Sequence, residues 1–193
     1  MVLRNLRAEG QIIEDPEVTE YVQSLGSRIA SQASGDSGQR FQFFVVRDDS
    51  INAFALPGGF IGVNYGLILT TNNEAQLASV LAHESAHVTQ RHIARGVKAQ
   101  GRQSIASAAA ILAAILLGAT TGVPGDAVLG GVTAAQGLAA QSQINFTRAN
   151  ESEADRVGIQ TLARSGYEPN GMADFFERMQ KANRGNSGGY QVP

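Results

Sequence analysis

Apolar residues recur at helical spacing early in the chain, where Val18, Tyr21, Val22, Leu25 and Ile29 form one stripe along "EDPEVTEYVQSLGSRIASQAS". Asp15 stands where an N-cap belongs, and Pro16 fits the first turn, where a missing N–H costs nothing. "SGDSG" at 34–38 reads as a loop. The pattern then changes to short β-rich runs in "FQFFVVRDD", "NAFALPGG" and "FIGVNYGLIL". These predict three strands, the last two joined as a hairpin around Pro57-Gly58-Gly59. Phe41, Phe43, Phe44, Phe54 and Phe60 are expected to fill the core. Helical spacing returns in "TTNNEAQLASVLAHESAHVTQRHIAR", where Thr71 and Glu74 match a capping box. "NFTRANESEADRVGIQTLARSG" predicts a further helix stopped near Gly166, and "YEPNGMADFFERMQKAN" one more.

At 193 residues the chain is long enough for one domain, 1–193, with its own core. The expected class is α+β, mostly helical, with a small three-stranded sheet beside the histidine-bearing helix. The last residues, 184–193, read as a flexible tail. A net charge of -2, with lysine and arginine scattered, excludes nucleic acid as a partner. The absence of cysteine excludes disulfides and thiolate metal sites. "MVLRNLRAEGQIIEDPEV" lacks the apolar run of a secretory signal.

Only Asp126 is charged between Arg102 and Arg148, so 103–147 is a small-residue apolar insertion, expected as two helices joined at "TTGVPGD". Its run "IASAAAILAAILLG" is shorter than the roughly 20 residues a bilayer needs. Packing beside the rest of the domain is the ordinary reading. Contact with a membrane or partner is the sharper one, because one hairpin face cannot bury so much apolar surface.

The chemistry concentrates in "LAHESAHVTQRH", which holds every histidine of the chain. His83-Glu84-Ser85-Ala86-His87 is an HExxH motif inside a periodic helix, so both imidazoles share a face and can reach one Zn²⁺. Glu84 beside them can act as general base. On the helical wheel Glu84 falls in the stripe of Leu77, Leu81 and Val88, an expensive place for a carboxylate unless a cation lies near. His92 lies nine residues after His83, roughly 180° around the helix, and Gln90 stands where a metzincin motif needs glycine. It is expected at the surface or behind the ligands, and not as a ligand.

A catalytic zinc takes three protein ligands, and without cysteine or another histidine the third must be a carboxylate. "ANESEADRVG" offers Glu151 and Asp155 on one helix face, with Gly158 continuing it as a point of close helix approach. Glu151 could bind the metal while Asp155 holds the second ring nitrogen of a histidine. Glu153 lies on a different face. The ordinary alternative for such an acidic cluster is a solvated helix surface.

Together "HESAHVTQRH", "NAFALPGGFIGV" and "NESEADRVGIQ" resemble the HtpX/BepA-like metallopeptidases, relatives of the prenyl-protein CAAX endopeptidases. The resemblance runs from the first helix to "FFERMQ". It implies a zincin-like gluzincin domain with one Zn²⁺, ligands His83, His87 and Glu151, base Glu84, and Asp155 supporting a ligand. It also implies a strand near the metal that pairs with extended substrate, at Asn52, Ala53 and Phe54. Within the family the likeness is to periplasmic members linked to β-barrel assembly. That implies a polypeptide substrate, an unfolded or membrane-associated protein, and endopeptidase action in envelope quality control. The rival reading is a chaperone-like assembly factor with a structural zinc site. Two departures stand out: the family's downstream His-Pro segment and the helical repeats of its longer members are absent from this sequence. Tyr65, Tyr167 and Tyr190 are the candidates for an oxyanion donor.

Overall fold

The computed structural model describes residues 2–34, 38–102, 104, 105, 109, 125–175 and 177. The expectations for 110–124 and for the tail at 184–193 concern residues outside that set. In chain order the elements are α1 (Val2–Ala8), β1 (Ile12–Ile13), α2 (Pro16–Ser34), β2 (Gln42–Val46), β3 (Ala53–Leu56) and β4 (Phe60–Asn64). Then follow α3 (Tyr65–Thr70), α4 (Glu74–Thr89), helical residues 92–102 (α5) and α6 (Gly125–Arg164).

The sheet is mixed, in the order β1-β2-β4-β3. It has four strands where three were expected, because Ile12 and Ile13 pair antiparallel with Val46 and Val45. A two-residue strand carries no periodicity of its own. β3 and β4 form the expected antiparallel hairpin. Its turn holds Gly58 at φ 94° and Gly59 at φ 88°, and a side chain on Gly59 would strike the Arg40 carbonyl. β4 then runs parallel to β2. The third run stops being strand at Asn64, where "YGLILT" turns helical.

Alternation in the strands divides the phenylalanines between two layers. Phe43, Val45, Ile61 and Val63 join one core cluster with Val22, Leu25 and Ile29 of α2 and Leu77 and Leu81 of α4. Phe44 and Val46 face the other way and join Ile12, with Phe54, Phe60 and Leu3 and Leu6 of α1 packed against them. Helices therefore cover both faces of the sheet, and α4 lies in the larger layer. Leu81 is fully buried, and removing such a side chain costs about 2–5 kcal/mol. Tyr21 alone of the α2 stripe is exposed; its hydroxyl donates to Glu74 Oε2 at 3.2 Å.

The helix ends follow side-chain hydrogen bonds. Asp15 Oδ1 accepts from the Glu17 and Val18 amides, as its position predicts. The cap of α4 is Asn73, whose Oδ1 accepts from Gln76 N at 3.0 Å, while Gln76 Oε1 accepts from Asn72 N at 2.9 Å. This corrects the Thr71–Glu74 box by two residues. Thr71 instead caps the end of α3, donating its hydroxyl to Ile68 O at 2.7 Å. Glu74 is engaged by Arg28, at 2.7 Å, and by the Tyr167 hydroxyl. At the far end of α6, Gly166 has φ 83°, and the amides of Gly166 and Tyr167 donate to Ala163 O and Leu162 O.

The chain divides into two compact units, 1–90 with 153–193, and 91–152. The first holds the sheet, α1 to α4 and the last turns of α6. The second holds α5 and most of α6, where Gly96 lies 3.7 Å, measured from an added Cβ, from the Phe146 ring. The expected separate helix at "NFTRANESEADRVGIQTLARSG" is the C-terminal part of the 40-residue α6. No helix among the described residues is long and apolar enough to cross a membrane.

Candidate metal centre

α4 carries His83 and Glu84 side by side and His87 one turn later. The Nε2 atoms of the two histidines stand 3.0 Å apart, with their rings inclined at 66°. Two nitrogens on one tetrahedral zinc, at roughly 2.05 Å each, would lie about 3.3 Å apart. Nδ1 of His83, a buried residue, lies 3.0 Å from Asp155 Oδ1. Asp155 thus lies at ion-pair distance from the ring nitrogen of His83 that does not face His87. The two Nε2 atoms, 3.0 Å apart, repel unless a proton or a cation lies between them.

Gly158 explains how Asp155 comes so close. A Cβ at this position would meet the backbone N and Cα of His83 at 3.2 Å and the Met172 terminal methyl at 3.1 Å. α6 therefore rests directly on the α4 backbone at the first histidine. One turn before Asp155 on the same unbroken helix stands Glu151. Ligand atoms of His83, His87 and Glu151 all lie within 4.8 Å of one another. Two imidazoles and a carboxylate form a donor set that suits a zinc ion with an open fourth position, so the residues fit the ion that the motif implies.

His92 is not in that group, and it is buried, not exposed. The wheel that placed it assumed one continuous helix. α4 ends at Thr89, and Arg91 has φ 55°, so the register does not carry across. Tyr167 is engaged at Glu74, which lies nine residues, about 14 Å, along the helix from His83. Tyr65 is exposed, and Tyr190 lies outside the described residues.

Beside the histidines lies a cleft of about 150 Å³ whose wall includes Asn52, Ala53, His83, Glu84, Val80 and Phe175. Half-buried Glu84 thus reaches a space that a ligand could enter. Asn52 and Ala53 come to this cleft. Phe54 turns to the opposite layer, where its ring meets that of Phe44 edge-on at 6.0 Å. Register settles the main chain as well. Asn64 N–H donates to Asn52 O at 3.0 Å, so 52, 54 and 56 exchange hydrogen bonds with β4. The N–H and C=O groups of Ala53 and Ala55 point away from β4, to the outer edge of the sheet. Sequence reasoning did not place Val80 and Phe175 in the cleft wall or Ala55 at the sheet edge; only packing and pairing register do.

The sequence matches peptidase family M48 across residues 16–188, nearly its whole length. The chain belongs to peptidase family M48. Among its M48 relatives, the beta-barrel assembly-enhancing protease of Escherichia coli K12 is 43% identical over 92% of this chain and 36% of its own length. The mitochondrial metalloendopeptidase OMA1 of Schizosaccharomyces pombe is 33% identical over 85% of this chain and 44% of its own. The metalloprotease LoiP of Escherichia coli K12 is 28% identical over 88% and 64%. The chain thus spans little more than a third of the assembly-enhancing protease. As an M48 domain it carries the metallopeptidase motif on α4.

Proposed function

We propose that this chain is a zinc-dependent endopeptidase domain that cuts unfolded or unassembled proteins of the bacterial envelope. The convergence of ligand atoms of His83, His87 and Glu151, with Asp155 Oδ1 3.0 Å from His83 Nδ1, is the observation that carries this reading. His83, His87 and Glu151 would hold the ion, and Asp155 fixes the orientation of His83. A divalent ion bound there supplies Lewis acidity for the scissile carbonyl and for the attacking water. Glu84, in the cleft wall next to the first ligand, takes the proton from water and returns it to the leaving amine. The outward main-chain groups of Ala53 and Ala55 offer a template on which an extended substrate adds as another strand. Such pairing reads backbone rather than side chains, which suits unfolded segments. The envelope, and the periplasm in particular, is inferred from the name of the beta-barrel assembly-enhancing protease and from the family resemblance.

Digestion of an unfolded outer-membrane protein, with and without chelator, tests this. Cleavage should need the metal, and Glu84→Gln should keep zinc while slowing cleavage about 10²–10⁴-fold. Cutting by Glu84→Gln at the wild-type rate would remove the base. If the wild-type protein aids folding of that substrate without ever cutting it, the assembly-factor reading takes its place.

A further inference from the structure

Resting on the peptidase reading, we propose that the cleft beside Glu84 is a specificity pocket, and that it selects an apolar side chain of leucine, methionine or phenylalanine size directly flanking the bond to be cut. Its lining residues divide by burial. Leu67, Val80 and Phe175 are buried and make its inner wall, whereas Asn52 is exposed and Ala53 half-buried at the mouth. Glu84 lies in the same wall, so a group held in this cleft is next to the proposed base. The volume, about 150 Å³, is that of a cavity known to accept benzene, which matches one phenyl ring or a branched aliphatic chain.

The chemistry of the wall sets the preference. Glu84 lies in the wall, so an acidic side chain held there would sit beside a like charge. A polar side chain would lose its water against Leu67, Val80 and Phe175 without gaining partners there. An indole exceeds the space, and glycine or alanine would leave much of it empty. Discrimination in apolar pockets runs at about 10- to 200-fold per methylene, so the preference is readable in cleavage sites.

Val80 is the position to vary, because it faces the cleft from the interior of α4. The purified protein and its Val80→Ala and Val80→Phe variants are given an unfolded protein and a set of peptides varied at the two residues flanking the scissile bond. Cuts are mapped by mass spectrometry, and zinc content and circular dichroism are recorded for each variant. The wild type should cut beside Leu, Met or Phe at one of the two flanking positions. Val80→Ala should shift kcat/KM toward tryptophan. Val80→Phe should lower the ratio of Leu to Ala substrates at least about tenfold. A folding defect lowers all peptides together and cannot move the two ratios in opposite directions. Parallel losses in both variants, or chelator-sensitive cuts with no preference at either position, overturn the pocket alone. If the wild type makes no chelator-sensitive cut, the peptidase reading falls and the pocket with it.

Discussion

Replacing Gly158 with alanine isolates the contact that aims the first histidine. The added methyl would sit 3.2 Å from His83 N and Cα and 3.1 Å from the Met172 methyl, where comfortable carbon contacts begin at about 3.5 Å. Met172 can swing aside, but the α4 backbone cannot. α6 must withdraw by about 0.3 Å, which takes Asp155, one turn earlier, from 3.0 Å toward about 3.3 Å from His83 Nδ1. Alanine gains about 0.5–1 kcal/mol over glycine inside a helix, while overpacking costs about 1–3 kcal/mol. The net is a loss of roughly 0–2.5 kcal/mol, a Tm lower by at most about 10 °C. Zinc affinity should fall about 10- to 100-fold, the usual cost of disturbing a partner behind a metal-binding histidine. The matched control is Gly137→Ala on the same helix, where nothing lies within 4 Å of the new methyl. It should stabilise by about 0.5–1 kcal/mol and leave zinc binding unchanged. Zinc is titrated against a competing chromophoric chelator, and Tm is followed by circular dichroism. If Gly158→Ala matches Gly137→Ala in both measurements, the account of helix contact and histidine aim is wrong.

Other outcomes follow from the same geometry. Glu151→Ala should weaken zinc binding by a larger factor than any change behind the ligands, and unchanged zinc content would take Glu151 out of the site. Asp155→Asn keeps an acceptor near His83 but removes its charge; zinc affinity should drop about 10- to 100-fold with little change in Tm, since the Asp155 side chain is half exposed. Burial, and next the Glu74 carboxylate, raise the Tyr21 phenol above its ordinary 10.0. Its contribution to stability is therefore complete below pH 10 and fades as pH climbs through the folded value. An ultraviolet titration of tyrosinate, with Tyr21→Phe subtracted, should show this group ionising late, and earlier in Glu74→Gln. Ionisation of Tyr21 at an ordinary pH would contradict that environment.

What the sequence determined by itself was local. HExxH, the spacing of Glu151 and Asp155, the Asp15 cap and the hairpin at Pro57-Gly58-Gly59 are each held within a few turns of chain, where hydrogen bonds and helical period leave few alternatives. Capping showed the limit of that reading. Thr71 and Glu74 match a capping box, yet the cap is Asn73, because Thr71 closes α3 and Glu74 is held by Arg28. Tertiary structure decided what depends on residues far apart in sequence. Ile12 and Ile13 become a strand only because β2 offers a partner. Phe54 leaves the cleft, and Ala53 and Ala55 reach the sheet's edge, because register fixes which groups β4 uses. Asp155 meets His83 because a glycine lets one backbone lie on another. Periodicity names the residues of a face, but pairing and close packing decide what that face meets.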